Sequence, residues 1–225
     1  MRNIFSLMER ITPLSGRILD PLNQAIPTQV KTIILVANTP LILRESFLEK
    51  LSQVKHTCLF VHHNHAQNLH VLRDYYPSKS GEMLFIRGNG TGYWGLTNNI
   101  GSPFYDQDPK IPHHGIYALR GKLDLSKRPE IQKIDLEWLA AIEEQEKYPS
   151  NKRPSTGFYT RKLFEAIAKQ RRDLQICTLG FSTDPGYWNA TNVTHHDFQF
   201  ESKELLKSMQ QHRHHPLDEH NRSTL

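Results

Sequence analysis

Two short, uninterrupted apolar runs constrain the fold of this chain more than any other feature. The first covers Thr32 to Ala37 and the second covers Thr57 to Val61. Runs this short, with no polar alternation, are typical of strands that are buried on both faces of a parallel sheet. Between them, Leu43 to Val54 has the residue pattern of a helix, so this part of the chain predicts a β-α-β unit.

The rest of the chain continues this alternation. Further strands are expected at Met83 to Arg87 and at Leu174 to Leu179, and three further helices at Ile131 to Glu146, Phe158 to Arg171 and Ser202 to Met209. The glycine-rich loop 88–95 and residues 101–115 and 182–195 are expected to be irregular. Strands that alternate with helices predict an α/β fold with a central, mostly parallel sheet flanked by helices.

We divide the chain into three parts. Residues 1–30 form an N-terminal lead-in helix and connector, residues 31–209 form a single domain, and the polar, His-rich tail 210–225 is expected to be disordered. The apolar residues near the start can form one face of a short helix that docks onto the core or a partner, with peripheral contact to an inner membrane as the alternative. These residues are Ile4, Phe5, Leu7, Met8 and Ile11.

Composition excludes several classes of protein. No apolar run of about 18 residues occurs, so we expect no membrane-spanning helix, and the N-terminus lacks the features of a signal peptide. A cytoplasmic protein is therefore expected, with Cys58 and Cys177 as free, buried thiols. The net charge of +5 is scattered rather than gathered in a stripe, which favours an anionic ligand over nucleic acid.

Polar residues follow both of the first two strands. Asn38 and Thr39 come directly after the first, and Asn64 lies just beyond the second. In open α/β sheets, ligands bind in the crevice outside the carboxyl ends of the strands. These three residues are therefore candidates for ligand binding.

The segment Pro154-Ser155-Thr156-Gly157 opens an amphipathic helix. Proline is tolerated at a helix start, serine and threonine can cap the helix, and glycine lets a ligand approach the backbone. The amides at such a start can bind an anion. An ordinary capped helix without a ligand is the alternative.

A histidine with nearby carboxylates comes later, in His196-Asp197-x-x-Phe200-Glu201. An imidazole titrates near neutral pH and can accept a proton from a sugar hydroxyl, while Asp197 or Glu201 could orient it. A surface histidine in a chain with 13 histidines is the alternative.

Two sets of residues resemble metal ligands. The spacing of the first set matches no standard site, so solvated loop histidines are the favoured interpretation of His62, His63, His65, His113 and His114. The pair Asp106 and Asp108 resembles the Asp-x-Asp motif with which many glycosyltransferases bind Mn²⁺ or Mg²⁺. An acidic turn before Pro109 is the favoured interpretation of that pair.

Taken in order, these pieces resemble the motifs of the animal-type sialyltransferase family. The large motif is similar to Ile33 to Thr39 continuing to Val61-His62-His63-Asn64, and the small motif to Pro154 through Phe181. The third motif corresponds to Tyr187-Trp188-Asn189 and the very small motif to His196 through Glu201. The resemblance spans residues 32 to 201, without a counterpart in the middle of the chain.

The chain departs from the family pattern at several points. The usual Gly-Asn-Ser-Gly is Ala37-Asn38-Thr39-Pro40 here, and Gly186 stands where the third motif has a histidine. Neither cysteine lies where the family's disulfide between motifs would need it. Animal members carry a Golgi membrane anchor, and these departures fit a soluble, divergent relative.

The resemblance implies a Rossmann-like variant glycosyltransferase fold of the GT-A type, a CMP-sugar donor, inversion at the anomeric carbon, no metal and no cofactor. It implies His196 as the general base, supported by Glu201. It implies a donor site built from residues of the first three motifs: Asn38, Thr39, Asn64, Ser155, Thr156, Gly157, Gly180, Phe181, Tyr187 and Trp188.

The sugar and the acceptor stay open at this point. The donor sugar is sialic acid or the chemically similar Kdo, and the acceptor is a glycan or glycolipid. The alternatives are a catalytically inactive CMP- or glycan-binding module and a metal-dependent sugar transferase that uses Asp106 and Asp108. A His-rich metal hydrolase is a more distant alternative.

Overall fold

The computed structural model describes residues 19–37, 45–63, 69–89, 92–93, 111–119, 131–134, 136–181, 196–210 and 215–216. Its helices are α1 (19–25), α2 (Glu45–Gln53), α3 (Leu69–Arg73), α4 (Leu136–Gln145), α5 (Thr156–Gln170) and α6 (Phe198–Gln210). Its strands are β1 (Thr32–Val36), β2 (Cys58–His63), β3 (Gly81–Asn89), β4 (Gly92–Tyr93), β5 (His113–Leu119), β6 (Ile131–Ile134), β7 (Gln175–Leu179) and β8 (His215–Pro216).

The strands form one sheet in the order β6-β5-β3-β2-β1-β7-β8, and all neighbours in this order run parallel. The short β4 pairs antiparallel with the end of β3. Helices cover both faces, which satisfies the need of parallel strands to be buried on both sides. The predicted α/β fold, Rossmann-like with a mostly parallel sheet, is confirmed.

Alternate residues of the central strands enter two separate cores. One face of β1 and β2 presents Ile33, Leu35, Leu59 and Val61 to a core formed with α1, α4 and α5. The opposite face packs against α2 and α3 in a smaller core, through Ile34, Val36, Cys58, Phe60, Cys177 and Leu179. Cys58 and Cys177 are free and buried, as predicted, and burial raises the pKa of each thiol to about 12.

The position of β1 marks a switch point in the topology of the sheet. Strand β1 lies between β2 and β7, and α2, which follows β1, covers one face while α5, which precedes β7, covers the other. The connections on the two sides of β1 therefore diverge. Ligands of open α/β sheets bind beyond the carboxyl ends of strands at such a point.

Several segments differ from the sequence-based expectations, and the glycine-rich loop 88–95 contains the end of β3 and the short β4. The predicted helix Ile131 to Glu146 is divided into β6 and α4, because Ile131 and Ile134 pair with β5 and are buried. The predicted irregular segment 101–115 already enters β5 at His113. Within the tail expected to be disordered, His215–Pro216 pair with Cys177 and Thr178 of β7.

The start of one helix also differs from the sequence-based prediction. Helix α6 begins four residues before the predicted Ser202, because Asp197 caps it: the Asp197 Oδ1 accepts a hydrogen bond from the Phe200 amide at 2.9 Å. Among the described residues, no helix has the length and apolar character that crossing a bilayer requires.

Candidate functional site

The candidate site lies where β1, β2 and β7 end. The amide of Ala37, just past β1, donates to the carbonyl of Leu179 at the end of β7, at 2.8 Å. Helix α5 runs opposite to β7, so its first residues lie at this same edge of the sheet. Gly180, which follows β7, adopts a left-handed φ of 76°, a conformation that favours glycine and turns the chain sharply.

Ser155 is the N-cap of α5. Its backbone is extended, with φ −70° and ψ 162°, and its Oγ accepts a hydrogen bond from the Phe158 amide at 3.0 Å. This is the capping role that the sequence predicted for Ser155. Thr156 is buried in the first turn, where its carbonyl accepts from the Thr160 hydroxyl at 2.8 Å.

Glu201 of α6 binds to the start of α5. Its Oε1 accepts from the Ser155 amide at 2.8 Å, and its Oε2 is hydrogen-bonded to the Ser155 hydroxyl at 2.5 Å. A third bond comes from the Tyr148 hydroxyl, which donates to Oε1 at 2.9 Å. Both carboxylate oxygens are thus engaged by Ser155 and Tyr148, and the support of His196 by Glu201 stays a prediction.

Burial raises the pKa of the Glu201 carboxyl above its ordinary value, and the hydrogen bonds from Ser155 and Tyr148 oppose this effect only in part. The cause is the loss of hydration around a carboxyl group packed between α5 and α6. The carboxyl is therefore easier to protonate than an ordinary glutamate.

Tyr148 connects this cluster to the residue that follows His196. Its hydroxyl oxygen accepts a hydrogen bond from the Asp197 amide at 3.1 Å while donating to Glu201. Its ring packs edge-on against Phe158 of α5 and Phe200 of α6, with centroids 5.2 and 5.0 Å away. Burial and the neighbouring Glu201 raise the pKa of the Tyr148 phenol, so the phenol keeps its proton.

His196 lies beside the entry to α5. Its Nδ1 is 2.6 Å from the carbonyl oxygen of Arg153, two residues before Ser155. Because a carbonyl can only accept, Nδ1 carries the proton, and the lone pair of the neutral ring is on Nε2. A backbone carbonyl therefore sets the tautomer that a general base needs. Asp197, the other carboxylate considered for this role, caps α6 instead.

Gly157 and Phe181 are in close contact across the mouth of α5. A Cβ at Gly157 would lie only 3.1 Å from Cε1 of the Phe181 ring. On its other side, Phe181 contacts the ring of His63 edge-on, with centroids 6.0 Å apart. The end of β2, the start of α5 and the residue after β7 therefore form one continuous surface.

His62 and His63 are buried at the end of β2, so the interpretation of them as solvated loop histidines is wrong. They are 1% and 5% exposed. The His62 Nε2 is 2.6 Å from the Tyr76 hydroxyl, on the α2 and α3 side of the sheet. The His63 Nδ1 is 2.7 Å from the carbonyl oxygen of Val36, across the end of β1. Burial lowers the pKa of His62 to about 3 and that of His63 to about 4.

A buried ionic network holds α6 against α5 below the site. The Arg161 guanidinium donates from Nη1 to the Glu165 carboxylate at 2.8 Å, to the Ser208 hydroxyl at 2.9 Å and to the Glu204 carbonyl at 3.2 Å. Lys162 adds an ion pair with Glu204 at 3.4 Å. A buried arginine is tolerated only with such partners, so these contacts fix how the two helices pack.

Several predicted site residues lie outside the described residues, and their roles stay predictions: Asn38, Thr39, Asn64, Tyr187, Trp188 and the pair Asp106 and Asp108. Ser155, Thr156, Gly157, Gly180 and Phe181 all lie at the carboxyl edge, and His196 and Glu201 border it. Within the described ranges, no three histidine, cysteine, aspartate or glutamate side chains are placed as metal ligands would be.

Sequence reasoning missed three residues of this cluster: Tyr148, the Arg153 carbonyl and His63. Residues 147–153 lie between two predicted helices, and a tyrosine just before a proline carries no signal of burial. The apolar run before His63 did indicate a buried strand, but its histidines resembled the beginning of a loop.

No protein-family model matches this sequence, and no curated protein matches it. Among solved structures, the chain is similar to the sialyltransferase CstII from Campylobacter jejuni, determined in complex with a substrate analogue, CMP-3FNeuAc. The TM-score is 0.47 with 12% sequence identity, over 84% of this chain and 80% of that chain. At this level of similarity, the function has to be inferred from the residues of this chain.

Proposed function

We propose that this chain is an inverting glycosyltransferase that needs no metal and moves an acidic sugar, sialic acid or Kdo, from a CMP-sugar to a hydroxyl group of a glycan or glycolipid. The proposal rests on the ordered motifs between residues 32 and 201, which resemble those of animal-type sialyltransferases. It also rests on the chemistry that the described residues can perform.

One observation carries the proposal: the 2.6 Å contact between the His196 ring and the Arg153 carbonyl. It brings a potential base next to the Ser155-Thr156-Gly157 helix start, although the two segments are some 40 positions apart in sequence. An anion-binding helix start beside a base is the arrangement that transfer from a nucleotide sugar requires.

His196 would act through Nε2. The acceptor hydroxyl gives its proton to Nε2 as its oxygen forms a bond to the anomeric carbon, and the bond from that carbon to the CMP phosphate oxygen breaks. General-base assistance of this kind contributes about 10²- to 10⁴-fold to the rate. Because the attack comes from the side opposite the departing CMP, the anomeric configuration inverts.

The leaving phosphate would be met by the amides of α5. Two amides at this helix start already have partners, since Ser155 donates to Glu201 and Phe158 donates to the Ser155 hydroxyl. We assign the Gly157 amide, which lies between them, to the phosphate. The ring of Phe181 beside Gly157 excludes water from one side of this position. Exclusion of water strengthens the attraction between the amide and the anion.

Glu201 has a positioning role in this scheme. Through Tyr148 and Ser155 it holds the first turn of α6 on the entry to α5, and His196 lies directly before that turn.

The test compares His196→Ala and His196→Asn with the wild type. CMP release from CMP-Neu5Ac and CMP-Kdo is measured with a panel of glycan acceptors, with and without EDTA, and CMP binding is measured by calorimetry. We expect both variants to bind CMP normally and to lose at least about 100-fold in transfer. Lys203→Ala, an exposed position on α6, is the control.

Each other outcome has a meaning. Transfer at the wild-type rate by His196→Ala would refute the assignment of the base. Activity lost in EDTA would favour a metal-dependent transferase. CMP binding without any CMP release by the wild type would identify an inactive binding module.

A further inference from the structure

His63 has a hydrogen-bonding atom that the fold leaves unused. Its Nδ1 faces the Val36 carbonyl at 2.7 Å, and its Nε2 is buried without a hydrogen-bond partner in the described part of the chain. Leaving a buried polar atom unpaired is costly, and most such atoms in folded proteins find a partner. An unpaired one beside a candidate site therefore requires an explanation.

The position of the His63 ring places its Nε2 beside the candidate site. Residues 59, 61 and 63 of β2 alternate onto the sheet face that α5 covers, and Leu59 and Val61 belong to the core formed with α5. His63 is the last residue of β2, so it lies at the carboxyl edge of the sheet. From there its ring reaches over the end of β1 to Phe181, which in turn contacts Gly157 at the mouth of α5.

We propose that His63 is a ligand-binding residue whose Nε2 accepts a hydrogen bond from the CMP part of the donor. The proposal rests on the proposed function, since it names the group that would contact the CMP-sugar. Neither the resemblance to sialyltransferase motifs nor the His196 mechanism assigns this atom a role.

The bond to Val36 decides what kind of group His63 can bind. A carbonyl can only accept, so the His63 proton is on Nδ1 and Nε2 presents a lone pair. Burial lowers the pKa of this imidazole to about 4, so it is neutral at physiological pH. A neutral acceptor cannot stabilise a phosphate; it selects a hydrogen-bond donor.

CMP carries two kinds of such donor, the ribose hydroxyls and the amino group of cytosine. Either one meets the same requirement, an O–H or N–H group directed at Nε2. An amino group would explain a preference for cytosine over uracil, since uracil has a carbonyl at that position. A ribose hydroxyl would explain a preference for ribonucleotides over deoxyribonucleotides.

Two substitutions distinguish the roles of the two ring nitrogens of His63. In His63→Asn, the amide nitrogen can keep the bond to the Val36 carbonyl, but nothing replaces Nε2. In His63→Gln, the longer side chain brings an amide oxygen near the position of Nε2. His62→Asn is the matched control, because His62 is equally buried on the same strand but belongs to the opposite face.

Binding of CMP, UMP and 2′-deoxy-CMP to the folded wild type and variants is measured by calorimetry. We expect His63→Asn to weaken CMP binding about 3- to 10-fold, the effect of losing one hydrogen bond, and His63→Gln to recover part of it. His62→Asn should bind CMP like the wild type. The donor group is identified by the analogue, UMP or 2′-deoxy-CMP, that the wild type binds more weakly than CMP but that His63→Asn binds as well as CMP.

A measurement on the wild type avoids dependence on the variants' folding. Histidine side-chain nitrogen NMR should show His63 with its proton on Nδ1, and the Nε2 signal should move when CMP is added. If CMP binds but neither that signal nor the affinity of His63→Asn changes, this proposal is overturned while the proposed function stands. If the wild type binds no CMP, the proposed function and this proposal fail together.

Discussion

Replacing Glu201 by alanine should destabilise the protein strongly, because this side chain joins α6 to the start of α5. Its carboxylate accepts hydrogen bonds from the Ser155 amide at 2.8 Å and from the Tyr148 hydroxyl at 2.9 Å. The Ser155 hydroxyl forms a third bond to it, at 2.5 Å, while also capping α5. Alanine would remove all three.

The magnitude follows from which donors are left without a partner. A donor that stays buried without an acceptor costs about 1–3 kcal/mol. The Ser155 amide and the Ser155 hydroxyl are two such donors, because the hydroxyl only accepts a hydrogen bond from the Phe158 amide. The Tyr148 hydroxyl can donate instead to the Arg153 carbonyl, which lies 3.3 Å away. We therefore expect Glu201→Ala to lower the free energy of unfolding by about 2–6 kcal/mol. For a domain whose total stability is about 5–15 kcal/mol, this is a large fraction.

Urea denaturation followed by circular dichroism measures this difference. Glu201→Gln keeps an oxygen for the Ser155 amide and should cost only about 1–2 kcal/mol. Glu144→Ala is the matched control, because Glu144 is an exposed glutamate on α4, and it should change stability by less than about 0.5 kcal/mol. If Glu201→Ala proves no more destabilising than Glu144→Ala, the role that we give to this carboxyl group is wrong.

Two further predictions concern the same cluster. Burial raises the folded-state pKa of Glu201 above the ordinary 4.5, so its contribution to stability is fully present below that value and is lost as the pH rises through the folded pKa. The stability of the wild type relative to Glu201→Gln should therefore fall as the pH rises above 4.5. A difference between their urea midpoints that stays constant over this pH range would contradict the prediction. Gly157→Ala should weaken CMP binding about tenfold or more, since a Cβ there presses on Phe181 and covers the Gly157 amide. Its unfolding free energy should change by less than about 1 kcal/mol, because alanine favours the helix by a similar amount; calorimetry that shows unchanged CMP affinity would exclude the Gly157 amide as a phosphate contact.

The sequence predicted the centre of the sheet because burial on both faces leaves a direct mark. Strands β1, β2 and β7 are short and mostly apolar, and a run of five or six residues is too short for an ordinary helix. Strand β6 left no such mark. Ile131 and Ile134 are three residues apart, a spacing that fits a helical face as well as the two ends of a four-residue strand.

The contacts within the candidate site were harder to predict because they join residues far apart in sequence. The cap at Ser155 could be predicted, since it involves an amide only three residues away. The contact between Glu201 and Ser155 could not be predicted, because the two residues are 46 positions apart. The only local pattern is that Glu201 follows His196 by five residues, and this pattern suggests a partnership with the histidine instead. Likewise, the buried His63 forms a hydrogen bond with the Val36 carbonyl of a different strand. No local sequence pattern predicts this contact.

The placement of His196 depends on side chains that need not contact any ligand. His196 directly precedes α6, and the first turn of α6 is held on α5 through Glu201 and Tyr148. Farther along, the buried Arg161 bonds to Ser208 of α6, so the two helices are joined at two separated points and cannot slide past each other without breaking one of them. These contacts hold the base that we propose in position relative to the mouth of α5, and groups held in a reactive geometry account for a large part of catalysis. Substitutions at Tyr148 or Arg161 should therefore reduce the rate of transfer more than the affinity for CMP, the opposite of what we expect at His63.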